Sequence, residues 1–235
     1  MNLWHTIEEN IPRPCKEGKP FIAIAAAITV LFFILDWEFL ATVMLAITVW
    51  VVYFFRDPDR FVPEGEGLIV SPADGVISMI TEAVPPAALE MGEEPLTRIS
   101  VFLNVFNVHV NRVPTGGTIT KMHYHPGKFV NAALDKASED NERHEMKVTA
   151  HNGKEIGFVQ IAGLVARRIV WHIAEGDELQ TGERFGMIRF GSRMDVYLPK
   201  GINPLVADGQ VAVAGETIFA DMNGAQHAPR VGVKR

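Results

Sequence analysis

Cysteine is nearly missing from this chain of 235 residues: Cys15 stands alone. One thiol builds neither an intramolecular disulfide framework nor a cysteine-rich zinc site, which suits a reducing compartment. Basic runs are missing too, and 22 Lys+Arg are outnumbered by 28 Asp+Glu, a formal net charge of −6. That balance argues against general nucleic-acid binding, which needs Lys and Arg to displace counterions. There is no coiled coil, low-complexity tract, long repeat or strong metal-ligand cluster. The chain is 48% hydrophobic and 21% charged, and its length suits one catalytic domain plus an appendage.

The apolar residues are unevenly placed. From Phe21 to Phe55 the only charges are Asp36 and Glu38, flanked by the runs Phe21–Leu35 and Phe39–Phe55. As helices these span roughly 22 and 26 Å, slightly short of the ~30 Å hydrocarbon core. One continuous helix would bury both acids near its middle, at about 2.5–3.5 kcal/mol each. A turn at Asp36-Trp37-Glu38 near the far interface removes that cost, so the pattern predicts a helical hairpin, spanning thinly or re-entrant. Arg13, Lys16 and Lys19 before it, with Arg56 and Arg60 after it, put both ends on the cytoplasmic side of the inner membrane. Trp37, Trp50 and Tyr53 are suited to anchor the interface. A buried hairpin in a soluble protein is the plainer alternative. A signal peptide has the length of the apolar region against it and lacks a convincing cleavage site.

The expected organisation is a tail (1–20), a membrane hairpin (21–55), a proline-broken linker (56–61) and a catalytic domain (62–235). Beyond Val62 short β runs alternate with Gly and Pro. Predicted strands are Gly67–Ser71, Gly75–Thr81, Arg98–Val113, Thr118–Tyr124, Lys147–Ala150, Glu155–Ile161, Arg168–Ile173, Arg184–Phe190, Met194–Leu198 and Gln210–Phe219. Helix is expected around Val130–Asn141 and Gly163–Arg167. The fold class is therefore α+β, mainly β: a hydrophobic helical hairpin followed by a β-sandwich or barrel-like domain. Glu175–Ile188 and Val206–Phe219 echo each other, and their pattern resembles the hairpins of lipoyl-like modules.

Alternation along Ile99–Val113 places Ile99, Val101, Leu103, Val105, Asn107, His109 and Asn111 on one face. A histidine at the polar end of a buried strand is suited to proton transfer near neutral pH. Asp74, in the turn Ser71-Pro72-Ala73-Asp74-Gly75, is an acid that could orient an imidazole, although Asp-Gly turns are commonly structural. Gly191-Ser192 falls between two apolar strands. There the Ser192 hydroxyl can attack the unhindered Gly191 carbonyl and convert the amide to an ester. β-Elimination then leaves dehydroalanine, which hydrolyses to an N-terminal pyruvoyl group and ammonia.

Taken together, FGSRMDVYLP (Phe190–Pro199), SPADG (Ser71–Gly75), NVFNVHVNRVPTGG (Asn104–Gly117) and YHPGKFVNAALDKASEDNER (Tyr124–Arg143) resemble the phosphatidylserine decarboxylases, in their short membrane-associated proenzyme subtype. The resemblance runs from about Arg56 to Leu198. It implies self-cleavage at Gly191–Ser192 into a β chain (1–191) and an α chain (192–235) that stay associated. It also implies a covalent pyruvoyl cofactor made from Ser192, with no metal. That carbonyl would form a Schiff base with phosphatidylserine and act as electron sink while CO₂ leaves, giving phosphatidylethanolamine. Asp74 and His109 are expected to flank Ser192, with His109 moving the proton.

One departure stands out. Longer family members carry His-x-x-His where this chain reads His109-Val110-Asn111-Arg112, so the self-cleavage base is either His109 or His125, beside Pro126-Gly127. Arg112, Lys136, Arg143 and Arg193 are candidates to contact the phosphate or carboxylate. The partners implied are phosphatidylserine and the bilayer, with assembly of αβ units into a homo-oligomer left open. Two other readings compete. Asp135-Lys136-Ala137 matches the short motif around lipoylated lysines. Ser192, His109 and Asp74 would equally furnish a membrane-bound serine hydrolase with an intact chain.

Overall fold

The structure, a computed structural model, describes residues 13–127, 141–163, 168–189 and 192–224. The chain divides into two compact units, Met1–Asp59 and Arg60–Arg235.

In the first unit, Lys19–Ile34 and Glu38–Phe54 form an antiparallel helical hairpin after a single 3-10 turn, Lys16–Gly18. Pro20 sits in the opening turn of the first helix, where its missing N–H leaves no bond unmade. The reversal falls where the charges predicted it. Asp36 takes the left-handed conformation (φ 54°), and Trp37 N–H donates back to Phe32 O at 3.0 Å. An L-residue there costs about 1–2 kcal/mol, least for Asp and Asn. The seam is lined by small residues, Ala25 and Ala41, and by Thr29 and Thr48, whose hydroxyls lie 3.0 Å apart. Large apolar side chains face outward instead, Ile34 at 71% and Phe39 at 78% exposed. Small and hydroxylic residues inside with apolar ones outside is the packing used by helices in lipid. By length and composition, Lys16–Ile34 (19 residues, mean hydropathy 1.8) is long and apolar enough to cross a membrane, whereas Glu38–Phe54 is shorter.

The second unit is mainly β. Its strands are β1 (Leu68–Val70), β2 (Gly75–Ala83), β3 (Leu96–Leu103), β4 (Val110–Arg112), β5 (Gly117–His125), β6 (Arg143–Ala150), β7 (Glu155–Ala162), β8 (Ile169–Trp171), β9 (Glu178–Leu179), β10 (Arg184–Ile188), β11 (Ser192–Tyr197), β12 (Val211–Ala212) and β13 (Ile218–Asp221). An eight-stranded sheet has the order β12-β2-β3-β11-β7-β6-β5-β9, a three-stranded sheet the order β4-β10-β8, and β1 pairs with β13. The pairings are antiparallel. Alternate residues of the large sheet (Ile99, Val101, Met146, Val148, Phe158, Met194 and Val196) share one buried core with Ile169, Phe185 and Ile188 of the small sheet.

Of the connections between these two sheets, three join strands that are neighbours in both. β3 leads to β4, β10 leads to β11, and β7 leads to β8. Meanwhile β3, β11 and β7 are neighbours in the large sheet, and β4, β10 and β8 are neighbours in the small one.

Several expectations are revised. The predicted strand Arg98–Val113 breaks after Leu103, because two asparagines offer the backbone a turn. Asn107 Oδ1 accepts from Asn104 N–H, and Asn104 Oδ1 accepts from Phe106 N–H, both at 2.8 Å. The alternation that put His109 on the face of Ile99 therefore does not carry through. Gln210–Phe219 likewise splits into β12 and β13 at a turn closed by Thr217 N–H to Val213 O. Neither echoed segment folds as a hairpin, since β9, β10, β12 and β13 each pair with strands outside their own segment. The expected helices around 130–141 and 163–167 fall, except for Asn141 and Gly163, outside the described residues.

Candidate active site

Ser192 opens β11, the strand between β3 and β7, and faces Leu103 on one side and Ala162 on the other. Antiparallel alternation puts Ser192, Met194 and Val196 on the core face. Ser192 is fully buried, and its Oγ has no hydrogen-bond partner among the described residues. Leaving such a group unpaired costs about 1–3 kcal/mol, so a purely structural serine gains nothing here over alanine. Gly191 lies outside the described residues.

His109 sits in the connection between β3 and β4. It is fully buried, its carbonyl accepts from Ile188 N–H at 3.3 Å, and Ile188 ends β10, four residues before Ser192. The ring Nδ1 lies 3.0 Å from Asn107 O. A carbonyl only accepts, so Nδ1 carries the proton in this contact.

Asp74 lies at the same end of the large sheet. Gly75 faces Ala212 of β12, and a Cβ on it would meet Phe102 O at 2.2 Å. Only glycine lets this turn close on β3. The Asp74 carboxylate takes Arg60 Nη2 in both oxygens, at 2.8 and 2.9 Å, and Ala214 N–H at 2.8 Å. Its hydrogen bonds thus go to Arg60 and Ala214 and not to the imidazole of His109, which corrects the expected contact. Arg60, read from sequence only as a topology signal, is the residue that sequence reasoning missed. Nothing in spacing foretells that pairing across the linker.

His125 ends β5, opposite Arg143. Three strand spacings separate β5 from β11, roughly 14 Å along the sheet, so the fold does not bring His125 to Ser192. The candidate cations are placed elsewhere as well. Arg193 points to the other face of β11 and pairs with Asp195 at 2.8 Å, both side chains 1% exposed. Arg143 pairs with Glu145, and Arg112 donates to Gly182 O at 2.9 Å. Lys136 lies outside the described residues. A surface cleft of about 640 Å³ between Val62–Gly67 and Thr181 holds none of these residues.

A second histidine joins the interior. His144 of β6 stacks on Trp171 at 4.1 Å, and its Nδ1 lies 3.3 Å from Gln160 Oε1. Burial pushes its pKa down to about 4, against the smaller upward pull of Gln160. Below pH 6.5 the unfolded chain therefore binds a proton that the native chain refuses. Stability is full above pH 6.5 and falls by roughly 3 kcal/mol as pH drops toward 4. Urea unfolding across this range should show His144→Phe losing correspondingly less stability than wild type. Equal slopes would mean that His144 titrates normally.

A fully buried serine, Ser192, and a fully buried histidine, His109, thus lie in a β domain whose two larger sheets share one core. The family described as phosphatidylserine decarboxylase matches residues 47–220. A phosphatidylserine decarboxylase proenzyme of Cereibacter sphaeroides (strain ATCC 17025 / ATH 2.4.3) is 59% identical over 220 residues, 94% of each chain. A relative of the same name from Ruegeria pomeroyi (strain ATCC 700808 / DSM 15171 / DSS-3) is 58% identical over 206 residues, 88% of this chain and 94% of that one. The chain belongs to the phosphatidylserine decarboxylase family, which is a family of carboxy-lyases. The lipoyl-carrier and serine-hydrolase readings find no support in these matches.

Proposed function

We propose that this chain is a self-processing decarboxylase that converts phosphatidylserine to phosphatidylethanolamine and CO₂. The observation that carries the reading is Ser192 itself. Its hydroxyl is fully buried without a hydrogen-bond partner among the described residues, at the first position of a central strand, within the region the family match covers. Such a hydroxyl suits a residue that is consumed in maturation, and the buried setting fits the small pyruvoyl group that would replace it.

In the proenzyme, Ser192 Oγ attacks the carbonyl of residue 191. In this reading His109, whose Nδ1 lies 3.0 Å from Asn107 O, takes the Oγ proton through Nε2. Elimination from the resulting ester separates a β chain, 1–191, from an α chain, 192–235. The pyruvoyl group then supplies a carbonyl that takes the substrate's amine and draws off the electrons left by the departing carboxylate. His109 returns a proton to the headgroup carbon in place of the carboxylate. Asp74, neutralised by Arg60, is a positioning residue: it ties the turn before β2 to the segment after β12, beside the strands that carry the site.

The lipid substrate gives the hairpin a purpose. We place Lys19–Ile34 and Glu38–Phe54 in the inner membrane, with both ends and the β domain on the cytoplasmic face, where the basic residues gather. The reading is tested by incubating the purified protein with phosphatidylserine vesicles and following phosphatidylethanolamine. Borohydride, which reduces a ketone to an alcohol, should abolish turnover, and full activity after treatment would rule out a carbonyl centre.

A further inference from the structure

A chain of hydrogen bonds runs through the core from β6 through β7 to β4, and its last donor has no acceptor among the described residues. Because Gln160 Oε1 only accepts, the 3.3 Å contact with His144 requires the proton on His144 Nδ1. Gln160 Nε2 in turn donates to Asn111 Oδ1 at 2.9 Å. That leaves Asn111 Nδ2 as the free end. Asn111 is fully buried, and Nδ2 has no hydrogen-bond partner among the described residues.

The middle of the chain is held by the strand that pairs with β11. Gln160 stands opposite Met194, two residues from Ser192 on the same strand face, about 7 Å along β11. Asn111 follows His109 by two residues and faces Gly186 of β10. Asn111 Nδ2 and Ser192 Oγ are both buried polar atoms without a hydrogen-bond partner among the described residues.

We propose that Asn111 Nδ2 donates to the carboxylate of the substrate's serine headgroup and so distinguishes it from an ethanolamine headgroup. The inference rests on the decarboxylase reading above. The substrate's amine must reach the Ser192 position, and its carboxylate is one carbon away, within reach of an amide one rung along. The phosphate, tethered toward the lipid, is farther out. A neutral donor suits this role better than Lys or Arg. A full cation would stabilise the departing carboxylate in the ground state more than in the transition state, where its charge is leaving. After CO₂ is lost, the product offers Nδ2 no acceptor, which favours release.

The test uses the full-length, processed protein in detergent after borohydride treatment, which stops turnover but leaves binding measurable by calorimetry. The probes are glycerophosphoserine and glycerophosphoethanolamine. Wild type should prefer the serine probe. Asn111→Leu should weaken that probe about tenfold or more while leaving the ethanolamine probe within about twofold. Gln160→Glu, nearly isosteric, presents acceptors to both neighbours and turns Asn111 Oδ1 toward the site, so it should lose serine preference without touching substrate. In untreated enzyme, Asn111→Leu should raise KM with kcat nearly unchanged. Variants that keep the wild-type preference, or weaken both probes equally, overturn the role given to Asn111 alone. A wild type that prefers neither probe and forms no phosphatidylethanolamine overturns the decarboxylase reading with it.

Discussion

A Ser192→Ala chain is expected to remain a single polypeptide of about 26.0 kDa with no decarboxylase activity. The expectation follows from chemistry and placement together. Alanine keeps the β-strand pairing of residue 192 with Leu103 and Ala162, and it removes a hydroxyl that makes no hydrogen bond among the described residues. The fold should therefore be intact, and even slightly more stable, because a buried unpaired polar group is gone. What is lost is the nucleophile for chain cleavage and the atoms from which the carbonyl is made. Denaturing electrophoresis of wild type and variant, beside urea unfolding of each, separates this outcome from simple misfolding. Efficient cutting between 191 and 192 in the variant would remove Ser192 from the role.

His109→Ala is expected to lower decarboxylation by about 10²–10⁴-fold, the usual worth of a positioned acid–base group. The ring is held by Asn107 O, and its backbone by Ile188 N–H, so the variant loses a side chain and not the crossing. The same substitution should slow self-cleavage, because the proposal gives His109 the Oγ proton as well. His125 is three strands away, and the guanidinium of Arg112 is directed to Gly182 O. Comparing processed fractions over time with the rate per processed enzyme separates the two steps. Turnover at the wild-type rate in the processed variant would refute the assignment. His125→Ala should leave both steps close to wild type.

Much of this was legible in residues alone, and the reasons are local. The hairpin followed from two acids interrupting an apolar run, because lipid penalises buried charge. The central strands followed from alternation and glycine punctuation. The Asn104–Asn107 turn escaped notice because a run of Val and Phe around it reads as extended, while the capping depends on side-chain rotamers. The adjacency of β3, β11 and β7 escaped for a different reason: strand order is a long-range property, and periodicity along one segment says nothing of its neighbours. The same holds for Arg60 with Asp74, and for Asn111, Gln160 and His144, whose partners come from different strands. His144 in particular looked like an ordinary polar residue until burial against Trp171 made it a neutral donor.

The account turns on whether the amide before Ser192 is exchanged for a ketone. Intact-mass measurement of the purified, active protein reads this directly. Two chains are expected, with the smaller spanning residues 192–235 and lighter by one ammonia than the same segment with a seryl N-terminus. An active preparation consisting of one uncut chain, with an ordinary serine at 192, would contradict it.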